Sequence, residues 1–363
     1  MQPSHRPTIR LEWLAAVSVL AALATPAGAE EKPDPQARAT AESQVTLVAQ
    51  PAATLVVLNK SDDTVSLLDP ASGEGRATIG VGGGPHEVAV TADGRFAYVA
   101  NYGTGPDPGR SLSILDLRAA RVVSTMDLGP YRRPHGLALT PDGRRLYVTV
   151  EGSRSVLEID TASERIGRVF PTEQDVSHMC VLTPDQRKLY VTNLGSRSVS
   201  VVELRSGAVS RIETGGGPEG IDVSPDGREV WVANRGDGDV VVIATRTDSI
   251  TARFPAGDFP IRVKFTPDGR RVLVSNARGN EVVVFDAGRR AVEARIPTGD
   301  APIGILVEPN GKIAWVAQTA ADRISRIDLQ NLELAGHVRA GREPDGLGWA
   351  IPAAGQAGEA GRR

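Results

Sequence analysis

A single cysteine, Cys180, occurs among the 363 residues, so an intramolecular disulfide is excluded. Aromatic residues make up only 4% of the chain, and 41 Lys and Arg against 44 Asp and Glu leave a formal net charge of −3. Because the charge is mild and no run of Lys and Arg interrupts it, the composition gives no reason to expect nucleic acid or an anionic membrane as a partner.

Several short catalytic motifs are also missing from the sequence. There is no Gly-x-Ser-x-Gly elbow, no Cys-x-x-Cys-His haem attachment, no His-Glu-x-x-His and no glycine-rich phosphate loop before a helix. Cys180 lies in a strand pattern where the equivalent positions are aliphatic, which favours a small buried apolar residue over a reactive thiol.

The two ends of the chain differ from the rest. Arg6 and Arg10 precede an apolar run from Leu11 to Ala24, and Ala27-Gly28-Ala29 follows, which predicts a secretory signal peptide over residues 1–29. An uncleaved anchor is the alternative, and no later apolar stretch is long enough for a membrane span. We expect a linker over 30–52, a disordered tail over 352–363, and a monomer in the periplasm or secreted from the cell.

Between these ends a unit of about 42 residues repeats. Its marker is a Pro-Asp-Gly-Arg turn or a close variant, and the marked residues are Asp93, Asp142, Asp185, Asp226, Asp268 and Asn310. Their spacings are 49, 43, 41, 42 and 42 residues, and an insertion over 103–110 accounts for the longest. A fixed period of this size indicates a modular array, in which residues that break the repeat are the functional candidates.

One unit, residues 216–257, predicts four short antiparallel strands joined by tight turns. The chain contains seven such sets, but it starts at a second strand, Thr54–Asn59, and ends on an unpartnered first strand, Asp345–Trp349. The last strand should therefore pair with the first. We predict an all-β, seven-bladed propeller over residues 53–351, closed by strands from both ends.

The segment Leu189-Tyr190-Val191-Thr192-Asn193 carries a resemblance to the YVTN family of propeller repeats. Related forms end at Asn101, Asn234 and Asn276 in the same register. The resemblance covers roughly residues 53–351 and implies the propeller fold. It implies no particular activity, because the family comprises periplasmic and cell-surface propellers without a common one, and similar folds hold metal or haem in some oxidoreductases.

The first residue of each innermost strand should lie at the rim of the central channel. The seven occupants are His86, His135, His178, Glu219, Ile261, Ile303 and Asp345. Three successive histidines and a glutamate at one structural position suit Zn, Cu or Fe, with a coordination position left for water or substrate. The alternative is that these histidines are structural or line a water-filled channel.

Four charged residues deeper in the same strands are further candidates: Glu87, Asp222, Arg262 and Lys264. In one interpretation they form an internal ion-pair set, with Asp222 or Glu219 beside Arg262 and Lys264. In the other, Arg262 and Lys264 are a cationic clamp for an anionic ligand, with Arg262 as the bidentate donor.

Loops on the histidine-bearing face supply the remaining candidates. The turns after the second strands contribute Lys60, Tyr102, Glu151 and Arg235, and the third blade opens with Tyr131-Arg132-Arg133. An aromatic ring and two guanidinium groups suit an anionic or aromatic ligand. A solvated loop with Tyr131 packed on proline is the alternative.

Three functional hypotheses follow from these residues. The first is a binding or interaction module that takes a small molecule or a protein partner on the histidine-bearing face. The second is a metal-dependent enzyme in which His86, His135, His178 and Glu219 hold the ion and arginines orient an anionic substrate. The third is a structural repeat protein of the cell surface. The sequence does not decide whether the protein is an enzyme.

Overall fold

A computed structural model of the chain describes residues 53–351, and these residues form seven four-stranded antiparallel sheets. The predicted seven-bladed propeller is confirmed. The predicted signal peptide, linker and tail lie outside the described residues. In chain order the strands of blades 1 to 4 are β1 Thr54–Asn59, β2 Thr64–Leu68 and β3 Gly75–Gly80; β4 Pro85–Val90, β5 Phe96–Gly103, β6 Pro108–Asp116 and β7 Arg121–Asp127; β8 Pro134–Leu139, β9 Arg145–Val150, β10 Ser155–Asp160 and β11 Arg165–Pro171; β12 Ser177–Leu182, β13 Lys188–Asn193, β14 Ser198–Glu203 and β15 Val209–Glu213. Those of blades 5 to 7 are β16 Pro218–Val223, β17 Glu229–Asn234, β18 Asp239–Ala244 and β19 Ser249–Pro255; β20 Pro260–Phe265, β21 Arg271–Asn276, β22 Glu281–Asp286 and β23 Ala291–Pro297; β24 Pro302–Val307, β25 Ile313–Gln318, β26 Arg323–Asp328 and β27 Glu333–Arg339.

The ring closes through the final strand, β28 (Pro344–Ala350), which is the innermost strand of blade 1. It pairs antiparallel with β1, with Thr54 opposite Ala350 and Val57 opposite Leu347. Each innermost strand also contacts the innermost strand of the next blade, and β28 contacts β4 in the same way. Closure by the two ends of the chain is therefore confirmed, and it leaves the ring without an open edge between blades.

The Pro-Asp-Gly turns link the two innermost strands at the end of the channel opposite the histidines. In blade 5 the Ser224 hydroxyl donates to Asp226 at 2.6 Å, and Asp226 accepts the Arg228 amide at 3.0 Å. Gly227 has φ = 71°, a left-handed conformation that glycine adopts without steric cost. The repeated turn motif thus serves geometry.

Apolar side chains fill the wedges between blades. Between blades 5 and 6 the ring of Trp231 lies 5.2 Å from Phe254 and 5.7 Å from Phe265, both edge-on. Cys180 is buried beside Tyr147 and Phe170 between blades 3 and 4, and burial raises the pKa of its thiol. The interpretation of Cys180 as a buried apolar residue is confirmed.

A β-bulge interrupts the start of every innermost strand. In blade 2 the register shifts between Pro85 and Val88, so the two residues between them have no regular partner on β5. Similar irregularities occur in the other six blades. A bulge redirects side chains, so the simple alternation of a strand does not govern the residues at the channel rim.

Helical structure among residues 53–351 consists of two 3-10 turns, Glu151–Ser153 and Thr319–Ala321. Within this range no helix has the length and hydropathy that a membrane crossing requires.

Candidate functional site

The three predicted histidines converge at one mouth of the channel. The ring centroids of His86 and His135 are 5.2 Å apart, and those of His135 and His178 are 3.8 Å apart. Tyr102, near the end of β5, completes the cluster with its ring 4.5 Å from His86 and 5.4 Å from His135. Pseudo-symmetry of blades 2, 3 and 4 brings the histidines together, because each stands at the same bulged position.

A chain of hydrogen bonds and one longer charge contact crosses the mouth with His178 at its centre. His178 Nδ1 donates to Glu151 Oε1 at 2.5 Å, and the Tyr102 hydroxyl donates to the other oxygen of Glu151 at 2.6 Å. On the opposite side His178 Nε2 lies 3.6 Å from Glu219 Oε1. Arg235 Nη1 donates to Glu219 Oε2 at 2.5 Å. Two carboxylates thus hold one imidazole from both ring nitrogens.

This arrangement separates the pKa values of the adjacent histidines. Burial by itself lowers the pKa of His178, but the hydrogen bonds to Glu151 and Glu219 outweigh burial and raise the pKa to about 9. Burial, followed by the charges of His178 and His86, holds the pKa of His135 well below its usual value. At neutral pH an imidazolium therefore stacks against a neutral imidazole. For Glu219, burial acts to raise the pKa, but the contacts with His178 and Arg235 prevail and lower it.

His86 has a different environment from the other two histidines. Its Nδ1 lies 2.7 Å from the carbonyl oxygen of Gly84, which fixes the ring against the entry to its own blade. Burial lowers its pKa despite the opposing charge of Asp345. His86 therefore lies at the edge of the histidine cluster, and the contact with Gly84 already occupies its Nδ1.

One group of side chains has the composition and spacing of a metal centre: His135, Glu151 and His178. One ligand atom of each lies within 4.8 Å of the others. His135 and Glu151 are buried, and His135 Nδ1 is a buried polar atom without a hydrogen-bond partner. Most buried polar atoms are paired, so this nitrogen requires a ligand or a bound water as an explanation. Two imidazoles and a carboxylate are donors that Zn, Cu and Fe accept.

A layer of side chains, which we call the floor, lies beneath the mouth. It is formed by the residues that follow the rim position in the innermost strands. Large side chains come from alternate blades: Glu87 from blade 2, Met179 from blade 4 and Arg262 from blade 6. Arg262 Nη2 donates to Glu87 at 2.7 Å, and its Nη1 lies 3.1 Å from the sulfur of Met179. Arg262 thus reaches across the channel and closes it beneath the histidines.

Glycines in the intervening blades make room for this floor. The residues that follow the rim position in blades 1, 3, 5 and 7 are Gly346, Gly136, Gly220 and Gly304. A Cβ at Gly136 would lie 2.7 Å from the carbonyl oxygen of His178, and one at Gly220 would lie 2.7 Å from the Cα of Arg262. Neighbouring inner strands therefore approach too closely for any side chain at these positions.

The deeper charges form two separate sets. Arg262 also lies 3.7 Å from Asp345, which lies 3.7 Å from Lys60. Burial acts to raise the pKa of Glu87 and prevails over the charge of Arg262, while Glu87 and Asp345 raise the pKa of Arg262 against the effect of burial. Lys264 pairs with Asp222 at 3.4 Å. Of the predicted pairings, Lys264 with Asp222 is present, but the partners of Arg262 are Glu87 and Asp345.

The three candidate residues in the entry loop of blade 3 make different contacts. Tyr131 packs against the apolar cluster between blades 2 and 3. Arg132 donates to the backbone carbonyl of Gly129 at 2.5 Å. The guanidinium carbon of Arg133 lies 4.9 Å from the centre of the Tyr102 ring, above the histidine cluster. Only Arg133 of the three contacts the cluster directly.

The sequence identified the histidines but assigned their carboxylate partner incompletely. Glu219 was expected as the carboxylate, whereas Glu151 is the acid grouped with His135 and His178. The available signal was that Glu151 replaces the neutral or basic residues found after most second strands. Its hydrogen bond to Tyr102 joins residues 49 positions apart, which a repeat pattern does not reveal.

Comparisons with known proteins support the fold. The family model described as "Lactonase, 7-bladed beta-propeller" matches residues 208–294, a stretch that includes Glu219, Arg235 and Arg262. No curated protein matches the sequence significantly. Because the family match spans less than half of the chain, it indicates similarity to these propellers only.

Three solved structures illustrate the structural similarity. Hydrazine synthase of Kuenenia stuttgartiensis aligns with a TM-score of 0.67 and 21% identity, over 80% of this chain and 99% of that one. A functionally unknown protein from Desulfotomaculum acetoxidans gives a TM-score of 0.71 and 13% identity, over 83% and 99%. Dihydro-heme d1 dehydrogenase NirN in complex with DHE gives 0.61 and 20%, over 79% and 63%. At these identities the similarity concerns the fold alone.

Proposed function

We propose that this propeller is a binding module that holds one transition-metal ion at the mouth of its channel, through His135, His178 and Glu151. The observation that carries the proposal is the buried Nδ1 of His135, which has no partner and stands within 4.8 Å of ligand atoms from the other two residues. An unsatisfied buried nitrogen costs about 1–3 kcal/mol, and coordination would remove that cost.

The residues around the proposed centre would orient its ligands. Tyr102 donates to Glu151 and fixes that carboxylate, and Glu219 lies beside His178. Outer hydrogen bonds of this kind are typical of protein metal sites. A bound ion would supply a Lewis acid or an open coordination position for a small ligand. Because His178 is protonated at neutral pH, binding must release its proton, so metal affinity should rise with pH up to about 9.

Metal content tests the proposal directly. The protein is purified without a histidine tag, treated with chelator, incubated with Zn, Cu or Fe, and analysed by elemental mass spectrometry after gel filtration. We expect about one ion per chain, because His135, Glu151 and His178 form the one such group within residues 53–351. His135→Ala should lose the ion, whereas the matched variant His337→Ala should keep it, because His337 lies in β27 and contacts Ser325. Retention of the ion by His135→Ala would refute the assignment.

A second candidate, a lactone hydrolase, is favoured by the adjacent neutral and charged imidazoles and by the lactonase-family match. His135 would take a proton from water as the water oxygen bonds to the lactone carbonyl carbon. The ring C–O bond would break, and His178 would give its proton to the departing oxygen. δ-Valerolactone in the presence of chelator is a suitable probe. Activity should disappear in His135→Ala and decline as pH rises through about 9, the pKa of His178.

We also propose that the protein acts outside the cytoplasm. The basic start, apolar run and small-residue site of residues 1–29 support export, and the YVTN resemblance points to periplasmic and surface propellers. N-terminal sequencing of the protein from its native host should begin near Glu30. A chain that retains residues 1–29 would contradict cleavage.

A further inference from the structure

The mouth of the channel has a polar half and an apolar half. At the rim position blades 2 to 5 and blade 1 contribute three histidines and two acids, but blades 6 and 7 contribute Ile261 and Ile303. Ile261 is buried and Ile303 is half-buried. Neither belongs to the apolar clusters that fill the wedges between blades in residues 53–351. These isoleucines therefore stand at the rim position, outside the clusters between blades.

The seven blades hold a second ring of side chains above the rim position. In each blade the residue that follows the same-register Asn, Val or Gln near the end of the second strand donates its amide to a carbonyl in the loop that enters the innermost strand of the same blade; the donors are Lys60, Tyr102, Glu151, Leu194, Arg235, Ala277 and Thr319. Blade 6 contributes Ala277, whose amide bonds to the carbonyl of Phe259, two residues before Ile261. Blade 7 contributes Thr319, so in the blades opposite the histidines the second ring has one apolar and one polar member.

A basic side chain follows Ala277 in blade 6. Each acid at the mouth has a cationic partner: Glu151 and Glu219 have His178, and Asp345 has Lys60. Arg278, which is exposed and follows Ala277, has no carboxylate partner within residues 53–351. Its guanidinium carbon lies 4.0 Å from the centre of the Phe259 ring. The guanidinium donors of Arg278 are therefore available to an anion.

Phe259 contacts two guanidinium groups. Arg235 lies 5.2 Å from its ring centre and also reaches Glu219, and Arg278 is the second. Phe259 has φ = 61°, a left-handed conformation that residues with side chains also adopt at the equivalent position of other blades, such as Arg133 and Val176. The ring of Phe259 therefore fixes both guanidinium groups beside the entry to blade 6.

We propose that the apolar half of the mouth binds a small organic carboxylate with an aromatic or branched apolar body. The body lies against Ile261 and Ile303, and the carboxylate pairs with Arg278, which Phe259 holds in place by a cation–π contact. The Arg262–Glu87 pair beneath the mouth stops deeper entry. This inference concerns the same mouth as the metal proposal but does not rest on a bound ion.

A comparison of three probes separates the two features of the ligand. Benzoate carries the ring and the charge, benzamide the ring alone, and acetate the charge alone. NMR titrations are run on the complete protein after chelator treatment and again after incubation with Zn. We expect benzoate to bind at least tenfold more tightly than either partial probe in both states. Equal binding of benzoate and benzamide, or no benzoate binding in either state, would overturn the proposal.

Variants then locate the site. Arg278→Ala should weaken benzoate about tenfold and leave benzamide unchanged, while Ile303→Ala should weaken both. The matched control is Arg270→Ala in the same blade, where an exposed arginine beside Asp268 lies at the opposite end of the innermost hairpin. Melting temperatures verify folding, and Arg278 is exposed enough to be replaced without loss of the core. Benzoate binding that survives Arg278→Ala but is lost in His135→Ala would place the carboxylate on the metal centre and refute this inference.

Discussion

Replacement of Glu151 by glutamine should release a large part of the electrostatic stabilisation of His178. Folding raises the pKa of His178 from its ordinary value of 6.5 to about 9. At 1.36 kcal/mol per pKa unit this rise corresponds to about 3 kcal/mol. Glu151 and Glu219 together supply this stabilisation, and it is the net value after the opposing effect of burial. Glu151 is the nearer acid, at 2.5 Å against 3.6 Å, so its loss should lower the pKa by at least about one unit.

The sign of the accompanying stability change follows from the raised pKa. The folded protein holds this proton more tightly than the unfolded chain, so the stabilisation is complete below pH 6.5 and is lost as pH rises through about 9. In the metal-free wild-type protein the free energy of unfolding should therefore fall between pH 7 and pH 9.5. In Glu151→Gln the same decline should be smaller and should occur at lower pH.

Two measurements check this reasoning. Carbon-detected or heteronuclear NMR of the His178 ring gives its pKa in metal-free protein, and urea unfolding at a series of pH values gives the stability. Glu213→Gln is the control, since Glu213 is an exposed acid paired with Arg211 on the outer strand of blade 4. A His178 pKa near 6.5 in the wild-type protein, or a value unchanged by Glu151→Gln, would refute the proposed hydrogen-bonded chain.

Three further outcomes are expected. Arg262→Met should destabilise the protein by about 3 kcal/mol in urea unfolding, because it leaves Glu87 and Asp345 without their buried partner. Adding Glu87→Gln should restore part of the lost stability. An unchanged stability in Arg262→Met would contradict the role of Arg262 in closing the channel. Tyr102→Phe should cost about 1 kcal/mol by removing the bond to Glu151, measured in the same way, and a neutral result would mean that water replaces it. Zn affinity, followed by calorimetry, should weaken as pH falls from 9 to 6 because His178 must lose a proton, and a pH-independent affinity would exclude His178 as a ligand.

The architecture was predictable because the repeat recurs in the sequence itself. The predicted bounds of the first strand, Thr54–Asn59, agree with the structure, since they depend on local alternation and on turn residues. Placing three histidines at one mouth needed only the additional step that equivalent positions in successive blades lie side by side. The short distances between the histidine rings in the structure support that step.

The contact between residues 87 and 262 could not be predicted from the sequence. They are separated by 175 positions, yet their side chains pair across the channel. Strand alternation left the direction of Glu87 open, and the bulge between Pro85 and Val88 settles it. The alternation of Glu87, Met179 and Arg262 with glycines is visible in the sequence, but its meaning requires the spacing between blades.

The amino-acid order by itself determined the number of blades, their closure by the chain ends, and the ring position shared by His86, His135 and His178, because these depend on periodicity. Only the tertiary structure decided that Glu151 and Tyr102 join His178 and that Arg262 closes the channel. Such contacts depend on distances across the ring and on bulges that redirect side chains, and neither is encoded in the spacing of a repeat.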